Sequence, residues 1–314
     1  MKIVLPGGSG HLGHALVRAF AAEGHECVVL SRRPDTVPAP ARGVAWDGRT
    51  RGPWATELDG ADAVINLAGR SVDCRYNEKN LGEMMASRVD STRVVGEAIA
   101  AAARPPRVWL QASTATIYGH RYDAANDEID GIVGDPPGVP AVWPRSVAIG
   151  LAWEAAQAAA ATPRTRKVAL RTSLVMGPAA DSVFGVLAKL ARRGTGRQGD
   201  GRQFVSWIHE DDFVAAVRFL IARDDLAGAV NLCSPNPVPN AVLMAALHAA
   251  VGMPLALPVP VWALEIGALF LRTETELILK SRRVVPRRLL EAGFVFRHPH
   301  WPEAARDLVA RANQ

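Results

Sequence analysis

The sequence predicts an α/β protein: a doubly wound parallel sheet followed by a smaller, mainly helical C-terminal part. Three observations predict it. Short β-branched runs alternate with Ala-rich helical stretches over the first 180 residues. A glycine-rich turn joins the first run to the first helix. After residue 180 the texture changes to shorter segments punctuated by glycine and proline.

The alternating runs place strands at 2–5, 26–30, 63–67, 107–111 and 167–171, and helices at 11–23, 87–103 and 147–161. Right-handed crossovers put these helices on both faces of one parallel sheet. The loops at the strand carboxyl ends then share one edge, where ligands bind in such sheets. Beyond 180 the pattern gives a helix at 183–193, a Gly-rich loop at 194–201 and a strand at 204–208. A helix at 211–222, a strand at 229–232 and a helix at 241–251 follow, then a helical cap. The stretch 259–271 is the most apolar, but it is too short to span a bilayer and carries Glu265, so it reads as a core helix.

Composition narrows the function classes. With 49% hydrophobic and 21% charged residues the chain can bury a full core. Cys27, Cys74 and Cys233 lie far apart with no CxxC pair, so no disulfide framework or metal site is expected, and a reducing cytoplasm fits. The formal charge is +5, yet 36 basic residues are mixed with 31 acidic ones along the chain. The densest run, Lys280, Arg282, Arg283, Arg287 and Arg288, has no interleaved aromatic residue for base stacking, so nucleic-acid binding is not expected. The first apolar run breaks at Pro6 and is too short for a signal peptide. The expected partner is a small-molecule substrate, with no membrane.

Gly7-Gly8-Ser9-Gly10-His11-Leu12-Gly13 carries the strongest chemistry, because it directly follows a strand and opens a helix. Gly7 makes the tight turn, Gly10 lets backbone amides approach a pyrophosphate, and Gly13 allows close helix–strand packing. The helix start then directs free amides at the phosphates. This predicts a Rossmann-type dinucleotide-binding domain over 1–180, with returning elements from 204–235. The region 181–314 would form a smaller substrate-side and helical part.

At the end of the second strand stand Ser31, Arg32 and Arg33, where an NAD-preferring site would carry a carboxylate. Guanidinium groups pair with a ribose 2′-phosphate, so the cofactor expected is NADP(H). Asn66-Leu67-Ala68-Gly69 ends a strand in small residues where the backbone would pass the ribose and adenine. Leu174, in 171–178, would flank the nicotinamide end, and Arg88 is placed among the cofactor contacts.

Together with the glycine loop, Asn66–Gly69, 113–119 (Ser-Thr-Ala-Thr-Ile-Tyr-Gly) and 207–212 (Trp-Ile-His-Glu-Asp-Asp) resemble the extended short-chain dehydrogenase/reductase superfamily. Within it, Trp153-Glu154, 234–238 and 285–294 are similar to an atypical, sugar-epimerase-like subfamily with a characteristic C-terminal extension. The resemblance spans nearly the whole chain. It implies NADP(H) at the glycine loop, a substrate pocket between the two parts, and a dimer as one compatible assembly.

The superfamily's acid/base is a Tyr with a Lys four residues later, and no Tyr-x-x-x-Lys occurs in this chain. The corresponding positions fall near Ser146 and Gly150, and a lone Ser hydroxyl is too weak an acid at neutral pH. The resemblance implies that Ser113 or Thr114 holds a substrate oxygen. Tyr118 is the nearest phenol for proton transfer, with packing against the sheet edge as the alternative reading. Arg145 reads as an exposed loop residue, Asp127 and Glu128 as a solvated turn, and Asp211 or Asp212 as a helix cap. Three functions remain open: an NADP(H)-dependent oxidoreductase on a small carbonyl or alcohol, a nucleotide-sugar epimerase, and a cofactor-binding protein without turnover.

Overall fold

A computed structural model describes residues 1–271 and 273–313. The first half runs β1 (Lys2–Pro6), α1 (His11–Ala22), β2 (Glu26–Ser31), β3 (Arg42–Ala45), β4 (Ala63–Asn66) and α2 (Glu78–Ala101). It continues through β5 (Val108–Thr114), α3 (Trp143–Ala159) and β6 (Arg166–Thr172). Next come β7 (Leu174–Met176), α4 (Val183–Arg192), β8 (Thr195–Gln198), β9 (Phe204–Val205), β10 (Trp207–His209), α5 (Glu210–Ala222) and β11 (Gly228–Leu232). The chain ends with β12 (Val238–Pro239), α6 (Asn240–Val251), β13 (Leu257–Val259), α7 (Val261–Leu271), α8 (Glu276–Leu279), α9 (Arg287–Glu291) and α10 (Trp301–Ala312).

Seven strands form one parallel sheet in the order β3-β2-β1-β4-β5-β6-β11. In register, Val4 of β1 lies between Val28 and Val64. Alternate residues of β1 enter different cores, as the two-residue period of a strand requires. Ile3 and Leu5 join Leu16 and Phe20 of α1 and Val217 and Leu220 of α5. Val4 joins Val94 and Ala98 of α2 on the opposite face. Both faces are covered, which is why the strands read as nearly continuous apolar runs. A third core, away from the sheet, gathers Phe184, Trp207, Leu243, Leu247, Trp301 and Leu308.

Several elements differ from the sequence expectation. The stretch 194–201, expected as a Gly-rich loop, contains β8, which pairs with β13, and the strand expected at 204–208 is split into β9 and β10. β3 was not expected, since Arg42–Ala45 has a single β-branched residue; its pairing with β2 at the sheet edge holds it. α2 starts at Glu78 rather than 87 because the Asn77 side chain caps it, accepting from the Asn80 amide at 2.8 Å. The 259–271 stretch does form a helix, α7, but not a core one: Trp262, Ile266, Leu269 and Phe270 are exposed, Phe270 at 81%. An evenly apolar sequence has no polar face to mark which side is covered. Among the described residues, no helix is long and apolar enough to cross a membrane.

Candidate active site

β1 and β4 are neighbours in the sheet, and their successors run to opposite sides of it, which opens a crevice at their carboxyl ends. The turns after both strands meet there. Gly7 has φ +72°, and a Cβ on it would lie 2.5 Å from the Ala68 Cα. A Cβ on Gly13 would lie 2.0 Å from the Gly8 carbonyl oxygen, so the loop closes on the helix only through glycine. Gly10 is different: its φ is −95° and a Cβ there would meet nothing within 4 Å. It borders open space at the start of α1, whose N-terminus has no side-chain cap. Those amides are available to an anion, so a dinucleotide pyrophosphate fits this cradle.

Two cavities meet at Gly7 and Gly10. The first is bordered by Ser9, Ser31, Arg32, Arg33, Ala68 and Gly69. Ser31 Oγ accepts from the Arg33 amide at 3.1 Å and shapes the corner. Arg32 and Arg33 are exposed and form no ion pair among the described residues. The loop after β3 adds Arg49, which the sequence reading missed because that strand was not anticipated. Asp47 also borders this space, but its carboxylate is tied to the Arg49 and Thr50 amides and the Thr50 hydroxyl. The Thr50 contacts hold its pKa down at about 2. Asn66 does not reach the cavity: it is buried, donates to Gln111 Oε1 at 2.9 Å and accepts from the Ala68 amide at 3.1 Å. Gly8 lies behind the loop, where a Cβ would meet the Leu5 side chain.

The second cavity, of about 550 Å³, is bordered by His11, Leu12, Gly13, Leu67, Leu174 and Arg88, together with Ser113 and Thr114. His11 Nε2 lies 3.0 Å from Glu210 Oε2 of α5, without the geometry of a hydrogen bond. Arg88 is buried under Gly69 and stacks on Trp153 at 4.9 Å. Burial pulls its pKa down to about 10. Ser113 Oγ donates to Glu154 Oε1 at 2.6 Å, while Thr114 Oγ1 accepts the Thr116 amide at 3.1 Å and keeps its own proton. Glu154 in turn takes two hydrogen bonds from Arg171, at 2.9 and 2.8 Å.

Tyr118 is placed elsewhere. It is 1% exposed, donates to Asn231 Oδ1 at 3.0 Å and accepts from Arg171 Nη1 at 2.9 Å. Burial pushes its phenol pKa up, so the packing alternative describes it and proton donation does not. The expected helix cap is also corrected: His209 caps α5, its Nδ1 accepting from the Asp211 amide at 3.0 Å. Asp211 pairs with Arg311, and Asp212 accepts the Arg297 and His298 amides. Arg145 pairs with exposed Glu78. Asp127 caps its own turn, but Glu128 is not solvated as expected, since its Oε1 accepts the Asn231 amide at 2.8 Å. The largest group that sequence reasoning missed is Tyr76, Glu276 and Arg282 around Ser146, all bordering the second cavity. Glu276 and Arg282 are more than 100 positions from Ser146, so no local pattern joins them.

The family model described as NAD dependent epimerase/dehydratase matches residues 3–233. The chain belongs to that family. A second model, a domain of unknown function (DUF1731), matches residues 259–308. Among relatives of this epimerase/dehydratase chain, the epimerase family protein SDR39U1 of Bos taurus is 30% identical over 99% of this chain and 100% of its own. An epimerase family protein of Mycobacterium tuberculosis is 32% identical over 94% of this chain and 93% of its own. The crystal structure of human SDR39U1 (isoform 2) with NADPH superposes with a TM-score of 0.84 at 28% identity, covering 99% of each chain. The extended reductase fold and the C-terminal extension expected from the sequence are both present.

Proposed function

We propose that this protein binds NADP(H) and acts as an oxidoreductase on a small carbonyl or alcohol compound, without the Tyr–Lys pair. One observation carries the reading: the open cradle at Gly10 adjoins Arg32 and Arg33, two arginines free of ion pairs among the described residues. The backbone amides of the glycine loop would hold the pyrophosphate, and Arg32 and Arg33 the 2′-phosphate. The NADPH in the human relative's crystal structure supports the same choice. When bound, the nicotinamide supplies or accepts a hydride. Leu12, Leu67 and Leu174 would exclude water beside it, and the Thr114 hydroxyl would hold the substrate oxygen. Three free cysteines support a reducing compartment.

Fluorescence titration with NADPH and NADH tests the cofactor reading. NADPH is expected to bind more tightly, and an Arg32→Ala/Arg33→Ala double variant to lose at least ~10-fold in NADPH affinity, about 1.4 kcal/mol, with NADH little changed. Equal affinity for both cofactors in the native chain overturns it. Transfer of label from NADPH to a carbonyl panel separates the reactions. Labelled alcohol supports the oxidoreductase; inversion with no net cofactor change identifies an epimerase; tight binding with neither identifies a protein without turnover.

A further inference from the structure

The second cavity holds polar groups that the cofactor reading leaves unused. Ser146 stands on α3 where the superfamily resemblance puts its tyrosine, and Gly150, one helical turn on, where it puts the lysine. No side chain fits at Gly150, since a Cβ would lie 2.5 Å from Ile117 Cγ2 and 3.1 Å from Thr114 Cγ2. In place of a lysine, Ser146 has a carboxyl: its Oγ lies 2.6 Å from Glu276 Oε2. Glu276 is 1% exposed, and its Oε1 has no hydrogen-bond partner. Lys280 Nζ and Arg282 Nη2 each stand 3.8 Å from that oxygen, too far to donate. Lys280 is committed to Asp135 Oδ2 at 2.8 Å and the Thr116 carbonyl at 2.9 Å.

A buried carboxylate oxygen without a donor is costly, and a bound proton removes the cost. Burial raises the Glu276 pKa; Arg282, the Ser146 hydroxyl and Lys280 oppose the rise, while Asp135 adds to it. The half-buried Tyr76 phenol also interacts with the Glu276 carboxyl, and desolvation raises its pKa too.

We propose that Ser146 is the catalytic hydroxyl of this site and that Glu276, from the C-terminal extension, is the positioning residue that supplies and reclaims its proton. The proposal rests on the oxidoreductase reading. In the reducing direction the substrate C=O π bond opens and its carbon gains a C–H bond by hydride from the reduced nicotinamide, which is oxidised. The substrate oxygen takes the Ser146 hydroxyl proton, forming O–H. Ser146 regains a proton from the Glu276 carboxyl, and the carboxylate, beside Arg282, is reprotonated from solvent.

Infrared titration of the full chain reads the C=O stretch of protonated carboxyls. A band persisting above pH 4.5, the ordinary carboxyl value, is expected; its Glu276 part should be lost in Glu276→Gln and moved to a higher midpoint in Ser146→Ala, which removes a hydrogen bond to the charged form. Deuteride transfer from labelled NADPH to para-nitrobenzaldehyde gives a second readout. The native rate should be level below the band's midpoint and fall above it. Glu276→Gln should be slower by ~100-fold or more with that pH dependence gone, and Glu276→Asp should keep it. No band above pH 4.5 that Glu276→Gln removes, a Gln variant with the native rate and profile, or no transfer by the native chain overturns the proposal. NADPH affinity, read in parallel, should match the native value in all three variants. Absent affinity in the native chain defeats the cofactor reading, whereas intact affinity with no band defeats this proposal alone.

Discussion

Gly10 and Gly13 lie on the same loop, but an added methyl group meets different surroundings at each. At Gly13 it would collide with the Gly8 carbonyl at 2.0 Å, and backbone cannot step aside as a side chain can. Gly13→Ala is expected to cost about 2 kcal/mol or more in a urea melt and to abolish NADPH binding. At Gly10 the backbone is extended and the space in front is open, so Gly10→Ala should melt at the native temperature. Its NADPH dissociation constant should still rise at least ~10-fold, because the methyl group occupies the cradle. A Gly10 variant that melts early, or binds NADPH normally, would contradict the assignment of that space. The glycine loop was legible because its glycine spacing lies within seven consecutive residues between a strand and a helix, although the close approach that requires Gly7 is made by distant Ala68. Tyr118 misled for the opposite reason: a phenol near a strand end is visible in sequence, but Arg171 and Asn231 closing around it are not. Ser146 was dismissed as a lone hydroxyl, since its carboxyl partner arrives from Glu276, on another element.

Among the elements, the outer edge of the sheet shows how charge holds what propensity does not. β3 is short and poor in β-formers, yet Arg42 on it donates to both oxygens of Glu57, at 2.8 and 2.7 Å. Lys2 on β1 adds a contact to Glu57 at 3.0 Å. The Arg42 hydrogen bond, with help from Lys2, draws the Glu57 pKa from 4.5 to about 2. A carboxyl lowered on folding stabilises the fold above its unfolded pKa, and the contribution is lost as pH falls through the folded value. The loss should therefore develop between pH 4.5 and about 2. In Glu57→Gln the acid arm of a stability–pH profile should be shallower over that window, while equal slopes would show that the contact contributes nothing. Arg42 is half exposed, so the effect should weaken with added salt. Long amphipathic or β-branched runs were legible from sequence. β3 was not, since it is held by partners, and the early start of α2 depends on an Asn77 cap ahead of the apolar pattern.

Across the whole molecule, α10 closes the third core over α4 and α6. Trp301 is fully buried, stacks edge-on against Trp207 at 5.0 Å and donates its indole proton to the Leu243 carbonyl at 2.9 Å. Trp301→Ala is expected to cost about 3–5 kcal/mol in chemical denaturation. NADPH affinity of the folded fraction should persist, because none of that core's fully buried side chains lines either cavity. The parallel sheet and its crevice could be read from alternation alone, whereas the third core is assembled from segments spread over 176–309 and had no single pattern to announce it. The chain leaves the sheet at β6, builds part of the cavity wall with Leu174 of β7, Phe213 of α5 and Ser206, and returns at β11, which pairs with β6 from Gly228 to Leu232. That excursion is pinned at both feet to neighbouring rungs of one ladder. Swinging it outward like a jaw would tear the last parallel ladder from the edge of the sheet, so guests enter by the opening at Gly10 and by small adjustments of loops and side chains, with the frame standing still.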